Sequence, residues 1–240
     1  MHHLVLRPCQ VVRAKAIVDA KVRSHTKLAT LASQLEVGRS KAKSTADHCQ
    51  TGVSMTYQLY RGKILVSTPV LDADDEFKQS VVFLYEEKDD IVYGVCLNNP
   101  SKLKISDVLS IQKDPVAIEN PTLINSQKLY KGGPVSEETV VLLHSNEWQS
   151  TATYQVPHNL AITSDRLMLE KVAMGNLPKD YKMLAGVCTW HPRQLAMEIH
   201  HGSWLTIDEP PAHLFFNKDG KAGWMDCVKI ASNEAISSFF

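Results

Sequence analysis

The sequence is short of the features that usually announce chemistry. It has five cysteines, none in a CxxC pair, and only Cys96, Cys188 and Cys227 fall beyond residue 54. An odd number of widely spaced thiols argues against a disulfide framework and fits a reducing compartment. No apolar run approaches the ~18 residues that a membrane helix needs. The N-terminus has no continuous apolar signal-peptide core. GxSxG, Walker and GxGxxG patterns are missing, so no nucleophile elbow or phosphate-binding loop is on offer. After residue 54 only Arg61, Arg166 and Arg193 supply guanidinium groups, and no helix-turn-helix is recognisable.

The first 54 residues also lack Phe, Trp and Tyr, while all 17 aromatics lie downstream. Charge divides at the same place. Residues 1–54 hold 9 Lys/Arg and 3 Asp/Glu, which from totals of 26 each leaves 17 basic and 23 acidic residues over 55–240. The two balances are thus +6 and −6, hidden in a net charge of zero. An acidic domain repels phosphate, which argues against nucleic acid as its partner. Ala16 to Leu35 has helix-forming composition but little to bury. We expect 1–54 to be an extension outside the domain, disordered or preceding a natural start at Met55. A native helical arm and a targeting peptide are the alternatives.

With 44% apolar and 22% charged residues the chain can build a packed core. No internal repeat or long linker interrupts 55–240, so one domain is expected. Ile64–Val66 reads as a strand halted by Pro69, and Asp72–Glu76 as an acidic loop. Ser80–Tyr85 and 91–97 read as a hairpin around the charged loop 86–90, with both faces covered. Asn98-Asn99-Pro100 ends it. A short helix is expected at Ile105–Ile111, then a tight turn at Lys131–Pro134 and a strand at Val140–Leu143. A helix over 163–175 has Thr163, Ser164 and Asp165 as caps, Leu167, Leu169, Val172 and Ala173 on its apolar side, and Gly175 as its stop. Met183–Val187 reads as a strand. Pro192 opens a second helix with Leu195 and Ile199 inward, ended by Gly202. Leu214–Phe216 reads as a final strand.

Several residues invite a chemical reading, each beside a structural one. Gly132-Gly133-Pro134 could offer backbone N–H groups to an anion, but a turn needing unusual backbone angles explains it more simply. His144 is the natural general base, yet its neighbour Ser145 points to the opposite strand face, so a hydrogen-bonded structural histidine is favoured. Cys188, His191, His200 and His201 are the most metal-like set. The helix between them separates its ends by about 12–14 Å, however, and no metal or other cofactor is expected. Gln194 and Glu198 share a helix face beside Trp190 and could line a polar pocket or form an exposed pair. The thiols of Cys96 and Cys188 close apolar runs and read as buried and inert.

In order, the stretches GKILVSTPVLDADDEFKQSVVFLYEE, GVCLNNP, LYKGGPV, VLLHS, LAITSDRLMLEKVAMGNLP, AGVCTWHPRQLAMEIHHGSWL and LFFN, closed by the Trp224 segment, resemble the YqgE/AlgH family of bacterial proteins. The likeness covers nearly all of 55–240 and none of 1–54. Two departures stand out. Asn99 replaces a basic residue, and Arg193 replaces a glycine. The resemblance implies a soluble cytoplasmic α+β domain with a mixed, curved, half-barrel-like sheet flanked by helices. The AlgH name reflects a regulatory association with alginate exopolysaccharide production, and the family carries no firmly attached enzymatic activity, so no catalytic residue is assigned.

The leading expectation is therefore a non-enzymatic regulatory or small-ligand-binding protein. Its pocket would be lined by Asn98, Gly132, Gly133, His144, Asp165, Trp190, Gln194 and Glu198, which are polar or small residues at element ends. Its partner would be an unidentified small ligand or protein, with no role for a membrane. The alternatives are a hydrolase centred on His144 and a DNA-binding transcriptional regulator.

Overall fold

The computed structural model describes residues 59–71, 76–110, 122, 127–216 and 219–237. The expectations for 1–54, including the helix at Ala16–Leu35 and the boundary at Met55, lie outside the described residues, as does most of the acidic loop.

Nine strands form one mixed, curled sheet: β1 (Ile64–Ser67), β2 (Val81–Lys88), β3 (Ile91–Cys96), β4 (Leu129–Lys131), β5 (Val135–Ser145), β6 (Thr153–Val156), β7 (Leu160–Thr163), β8 (Tyr181–Trp190) and β9 (Trp204–Ile207). Their order is β6-β7-β5-β8-β3-β2-β1-β9, and β4 lies parallel to β8 at the edge that β8 shares with β3 further along. The other pairs are antiparallel. The described helices are α1 (Ile105–Ser110), α2 (Arg166–Ala173), α3 (Pro192–His200), α4 (His213–Phe216) and α5 (Gly220–Ser237). None is long and apolar enough to cross a membrane. The fold is an α+β half-barrel, as the sequence implied.

Strand alternation sorts the core onto two faces. Ile64, Val66, Val81, Phe83, Tyr85, Val95, Leu97, Val141, Leu143 and Leu184 fill the concave side, where Phe215, Cys227 and Ala231 of α4 and α5 complete the core. On the convex side α2 covers Val140, Leu142 and Met183. Leu195 of α3 covers Leu65, Val82, Leu84 and Cys188. The near-continuous apolarity of β2 and β3 follows from this double burial. The loop expected at 86–90 contracts to a two-residue turn, because Asp89 and Asp90 both adopt positive φ (53° and 59°), as a type I′ hairpin requires.

A clasp draws the curl together. Arg61, just before β1, donates from Nε to the Tyr85 carbonyl of β2 (3.3 Å) and from Nη2 to the Gln155 carbonyl of β6 (3.3 Å). These strands stand far apart in the sheet order. Within β8 the phase of the strand inverts. Leu184 faces the concave core and Ala185 the convex one, whereas Val187 is concave and Cys188 convex. The break sits at Gly186, whose φ is +76° and whose missing Cβ would collide with the Gly133 carbonyl. Only glycine meets both demands.

Two sequence expectations are corrected and one element is new. Leu214–Phe216 is not a strand but the helical turn α4. Pro210-Pro211-Ala212 precedes it, and the Leu214 N–H bonds to the Pro211 carbonyl, since prolines favour a helix start over a ladder. Phe215 then packs edge-on against Phe83 with centroids 4.9 Å apart. The helix expected from 163 begins at Arg166. Thr163 ends β7, and Asp165 is the N-cap, its side chain accepting from the Met168 N–H at 2.6 Å. Leu167 faces solvent, and Met168 takes its place in the core. The sequence reading missed α5, because its buried positions Gly223, Cys227 and Ala231 are small. Their i, i+4, i+8 spacing is a seam for close approach, not an amphipathic stripe.

Candidate functional site

The eight residues singled out in the sequence fall into four groups. Asn98 is 3% exposed and ties three elements together. Its Oδ1 accepts the Val81 N–H (2.8 Å), and its Nδ2 donates to the Gln79 and Gly220 carbonyls (2.8 and 3.0 Å). The Gly220 N–H returns to the Asn98 carbonyl at 2.6 Å. One asparagine thereby anchors the start of α5 to the sheet.

Gly132 and Gly133 cross β8 at close range. The Gly132 N–H donates to the Ala185 carbonyl at 2.7 Å, and its own carbonyl accepts from Cys96 N–H at 2.8 Å. A Cβ at Gly133 would meet the Val187 backbone. Close packing therefore explains the glycine pair, and the Gly132 amide is already spent.

His144 and Asp165 share one hydrogen-bond chain. The imidazole is fully buried, with Nδ1 on the Ser145 carbonyl (2.8 Å) and Nε2 on Thr163 Oγ1 (2.9 Å), and Trp148 packs edge-on at 5.2 Å. The carbonyl can only accept, so Nδ1 carries the proton and Nε2 accepts from Thr163. Thr153 Oγ1 lies 2.8 Å from Thr163 Oγ1 and accepts from the Ser150 N–H. The Ser150 hydroxyl donates to Asp165 at 2.8 Å. Burial holds the imidazole below its ordinary pKa, outweighing the bond to Ser145 and the charge of Glu147. The Ser145 hydroxyl is turned to Glu147 Oε1 (2.9 Å), so serine and histidine do not form a nucleophile and base.

Trp190, Gln194 and Glu198 do meet. The Glu198 carboxylate accepts from both indoles, Trp190 Nε1 (3.1 Å) and Trp204 Nε1 (2.9 Å), and from Gln194 Nε2 (2.8 Å). Phe77 packs on both indoles, with centroids 5.8 and 5.4 Å away. The two indoles pack edge-on with centroids 6.0 Å apart. The exposed Arg193 gives its backbone N–H to His191, the N-cap of α3. Among the described residues no three His, Cys, Asp or Glu side chains gather as a metal site.

The sequence reading missed two neighbouring features. A cavity of about 140 Å³ lies between the ends of β2 and β3 and helices α4 and α5, lined by Val81, Leu97, Asn98, His213, Asp226 and Cys227 among others. Behind it sits Lys182, 3% exposed on the concave face. Its Nζ donates to the Leu97 carbonyl (2.7 Å), lies 4.5 Å over the Tyr130 ring and stands 3.8 Å from Asp219 Oδ1. Tyr130 and Lys128 each donate to Asp219 at 2.9 Å. Desolvation lowers the Lys182 pKa, with the Asp219 charge acting against it. Partial burial would raise that of Asp219, but the bonds from Lys128 and Tyr130 and the two ammonium charges hold it below the ordinary carboxylate value. The signal available in sequence was a single lysine inside an apolar strand, YKMLAGVCTW.

A family described as AlgH-like (DUF179) matches residues 64–235. A UPF0301 protein of Francisella tularensis subsp. novicida is 28% identical over 176 residues, covering 73% of this chain and 90% of the relative. One from Francisella philomiragia is 27% identical over 190 residues, with 77% and 96% covered. The solution structure of the AlgH protein from Pseudomonas aeruginosa has a TM-score of 0.61 at 26% identity, covering 75% of this chain and 92% of that one. A crystal structure of a Corynebacterium diphtheriae protein, 23% identical with a TM-score of 0.55 over 72% of this chain and 87% of that one, shares the fold.

Proposed function

The chain belongs to the AlgH-like family, and we propose that it works as a non-enzymatic regulatory protein of the cytoplasm that binds a small ligand. The cavity beside Asn98 carries this reading. It is comparable with the ~150 Å³ apolar cavities that accept benzene. Its floor is apolar, while His213 and Asp226 bring polar groups to it, the combination expected of a small-molecule site. The start of α5 is held by Asn98 on one side and by Lys182 and Tyr130, through Asp219, on the other. A ligand seated there would bear on a helix whose position is already fixed by polar contacts.

The hydrolase reading loses support because both ring nitrogens of His144 are engaged within the fold. A direct DNA reader is disfavoured by the acidic balance of 55–240, and duplex DNA at low salt should not be retarded in a gel. Native mass spectrometry of the freshly purified chain tests the main reading. A retained small molecule is expected, lost in a Cys227→Phe variant that fills the cavity and keeps the native circular dichroism spectrum. Detection of the ligand-free mass alone, or retention of the molecule in the folded variant, overturns it.

A further inference from the structure

Four residues along β2 from the cavity, the concave face carries a second group of side chains that the proposed function does not use. The β2–β3 register slips between Leu84 and Glu86, so that Tyr85 is an extra, bulged residue. The slip turns Glu86 onto the concave face, directly opposite Tyr93, and Tyr93 is in turn opposite Thr189 of β8. Glu86, Tyr93 and Thr189 thus form a transverse row across three strands. Tyr85 stands beside it with its ring 6.2 Å from that of Tyr93. Tyr154 of β6 is opposite Ile162, a concave residue, and so joins the group from the far edge.

Two observations separate this row from ordinary sheet surface. First, Thr189 Oγ1 is buried and has no hydrogen-bond partner among the described residues. A buried hydroxyl left unpaired is destabilising, and its retention calls for a reason. Second, the bulge is held open. The Tyr85 carbonyl that it frees is taken by Arg61, which also fixes β6 through Gln155. Bulges of this kind re-aim side chains beside functional sites.

Carboxylates outnumber cations around the row. The surrounding hairpin has four carboxylates (Glu86, Glu87, Asp89 and Asp90) against one ammonium, Lys88. Arg61 bonds two backbone carbonyls and also reaches the Tyr154 side chain, which in turn meets Glu86, so one guanidinium charge stands at the far edge of the row. Burial and then the negative charge of Glu86 hold the phenols of Tyr85 and Tyr93 above their ordinary pKa, so they stay neutral. Neutral aromatic faces beside a carboxylate attract a cation, and a threonine hydroxyl can accept from its N–H groups.

We propose that the row Glu86–Tyr93–Thr189, flanked by Tyr85 and Tyr154, is a binding site for an organic cation bearing a guanidinium or primary ammonium group. A free amine-bearing metabolite and the side chain of a basic peptide share this chemistry. The site does not depend on the cavity near Asn98.

Titration of the ¹⁵N-labelled full chain with butylguanidinium, with neutral butylurea and with an Arg-Gly-Arg peptide tests the site. Butylguanidinium should shift the amides of 85–93 and 187–189 saturably, and butylurea should not. Tighter binding of the peptide would assign the site to a basic chain, and equal or weaker binding to a small amine. Glu86→Gln should weaken butylguanidinium at least tenfold. Thr189→Val should raise the thermal midpoint of the free protein while weakening binding, a combination that a merely structural hydroxyl would not give. Equal binding of butylurea, shifts confined elsewhere, no saturable shift, or unchanged affinity in both variants overturns the proposal.

Discussion

Lys182 Nζ and Asp219 Oδ1 face each other at 3.8 Å, one on the concave side of β8 and the other immediately before α5. Lys182 also has the Leu97 carbonyl and the Tyr130 ring, so its charge is compensated although it is almost wholly enclosed. Removing the carboxylate takes away a counter-charge 3.8 Å from that ammonium. Asp219→Ala should destabilise the protein by about 2–4 kcal/mol in urea unfolding at pH 7, near the lower range for broken buried pairs because Asp219 itself is partly exposed. Since the folded pKa of Asp219 lies below its ordinary value, its contribution is complete above the ordinary carboxylate range and lost as pH falls through the depressed value. The acid branch of the stability curve should therefore be shallower in Asp219→Asn than in the parent.

His144 has the opposite chemical type and the same sign with pH. Its folded pKa is depressed by burial, so on acidification the unfolded chain takes up this proton first. Its contribution is full above the ordinary imidazole pKa and falls as pH drops below it. Histidine NMR should show an Nδ1–H tautomer that titrates below the free imidazole range. His144→Gln should remove part of the loss of stability between pH 7 and pH 5. A freely titrating His144 resonance would contradict the hydrogen-bond assignment.

Glu198 is the common acceptor of two buried indoles. Glu198→Ala leaves both N–H groups unpaired, at about 1–3 kcal/mol for each buried donor. Glu198→Gln keeps one carbonyl oxygen and should lose less. Thermal denaturation followed by tryptophan emission orders the three proteins as parent, Gln, Ala.

Cys227 lines the cavity, yet burial pushes its thiol pKa up to about 11, with Asp226 adding to the rise. Thiolate is the reactive form. Intact protein should resist iodoacetamide at pH 7.5, and modification should follow only on unfolding. Rapid alkylation of the native protein at Cys227, seen by peptide mapping, would show that the helix lifts away readily.

Much of this architecture was legible in the chain. Continuous apolarity in VVFLY and IVYGVC announced strands buried on both faces, and the Asp165 cap and Gly175 stop marked α2 to within a few residues. Helix α5 was not legible, because burial through Gly223, Cys227 and Ala231 leaves no contrast between large apolar and polar positions. The hairpin β6–β7 was missed for a different reason. Its turn at Pro157-His158-Asn159 uses positive φ at His158 and Asn159 without a glycine. The candidate sites follow the same logic. Trp190, Gln194 and Glu198 meet because helix spacing fixes two of them and strand order the third. The placement of Lys182 beside Asp219 joins residues 37 apart in sequence, which no local pattern encodes.

The inversion at Gly186 has a consequence for how substitutions in β8 should be read. Odd-numbered residues over 181–185 and even-numbered residues over 187–190 face the convex layer, so substitutions at Ala185 and Cys188, across 186, perturb the same layer of the core. The glycine acts as a half-period delay in the strand. Removing one residue on either side of it would turn every following side chain toward the wrong layer of the core.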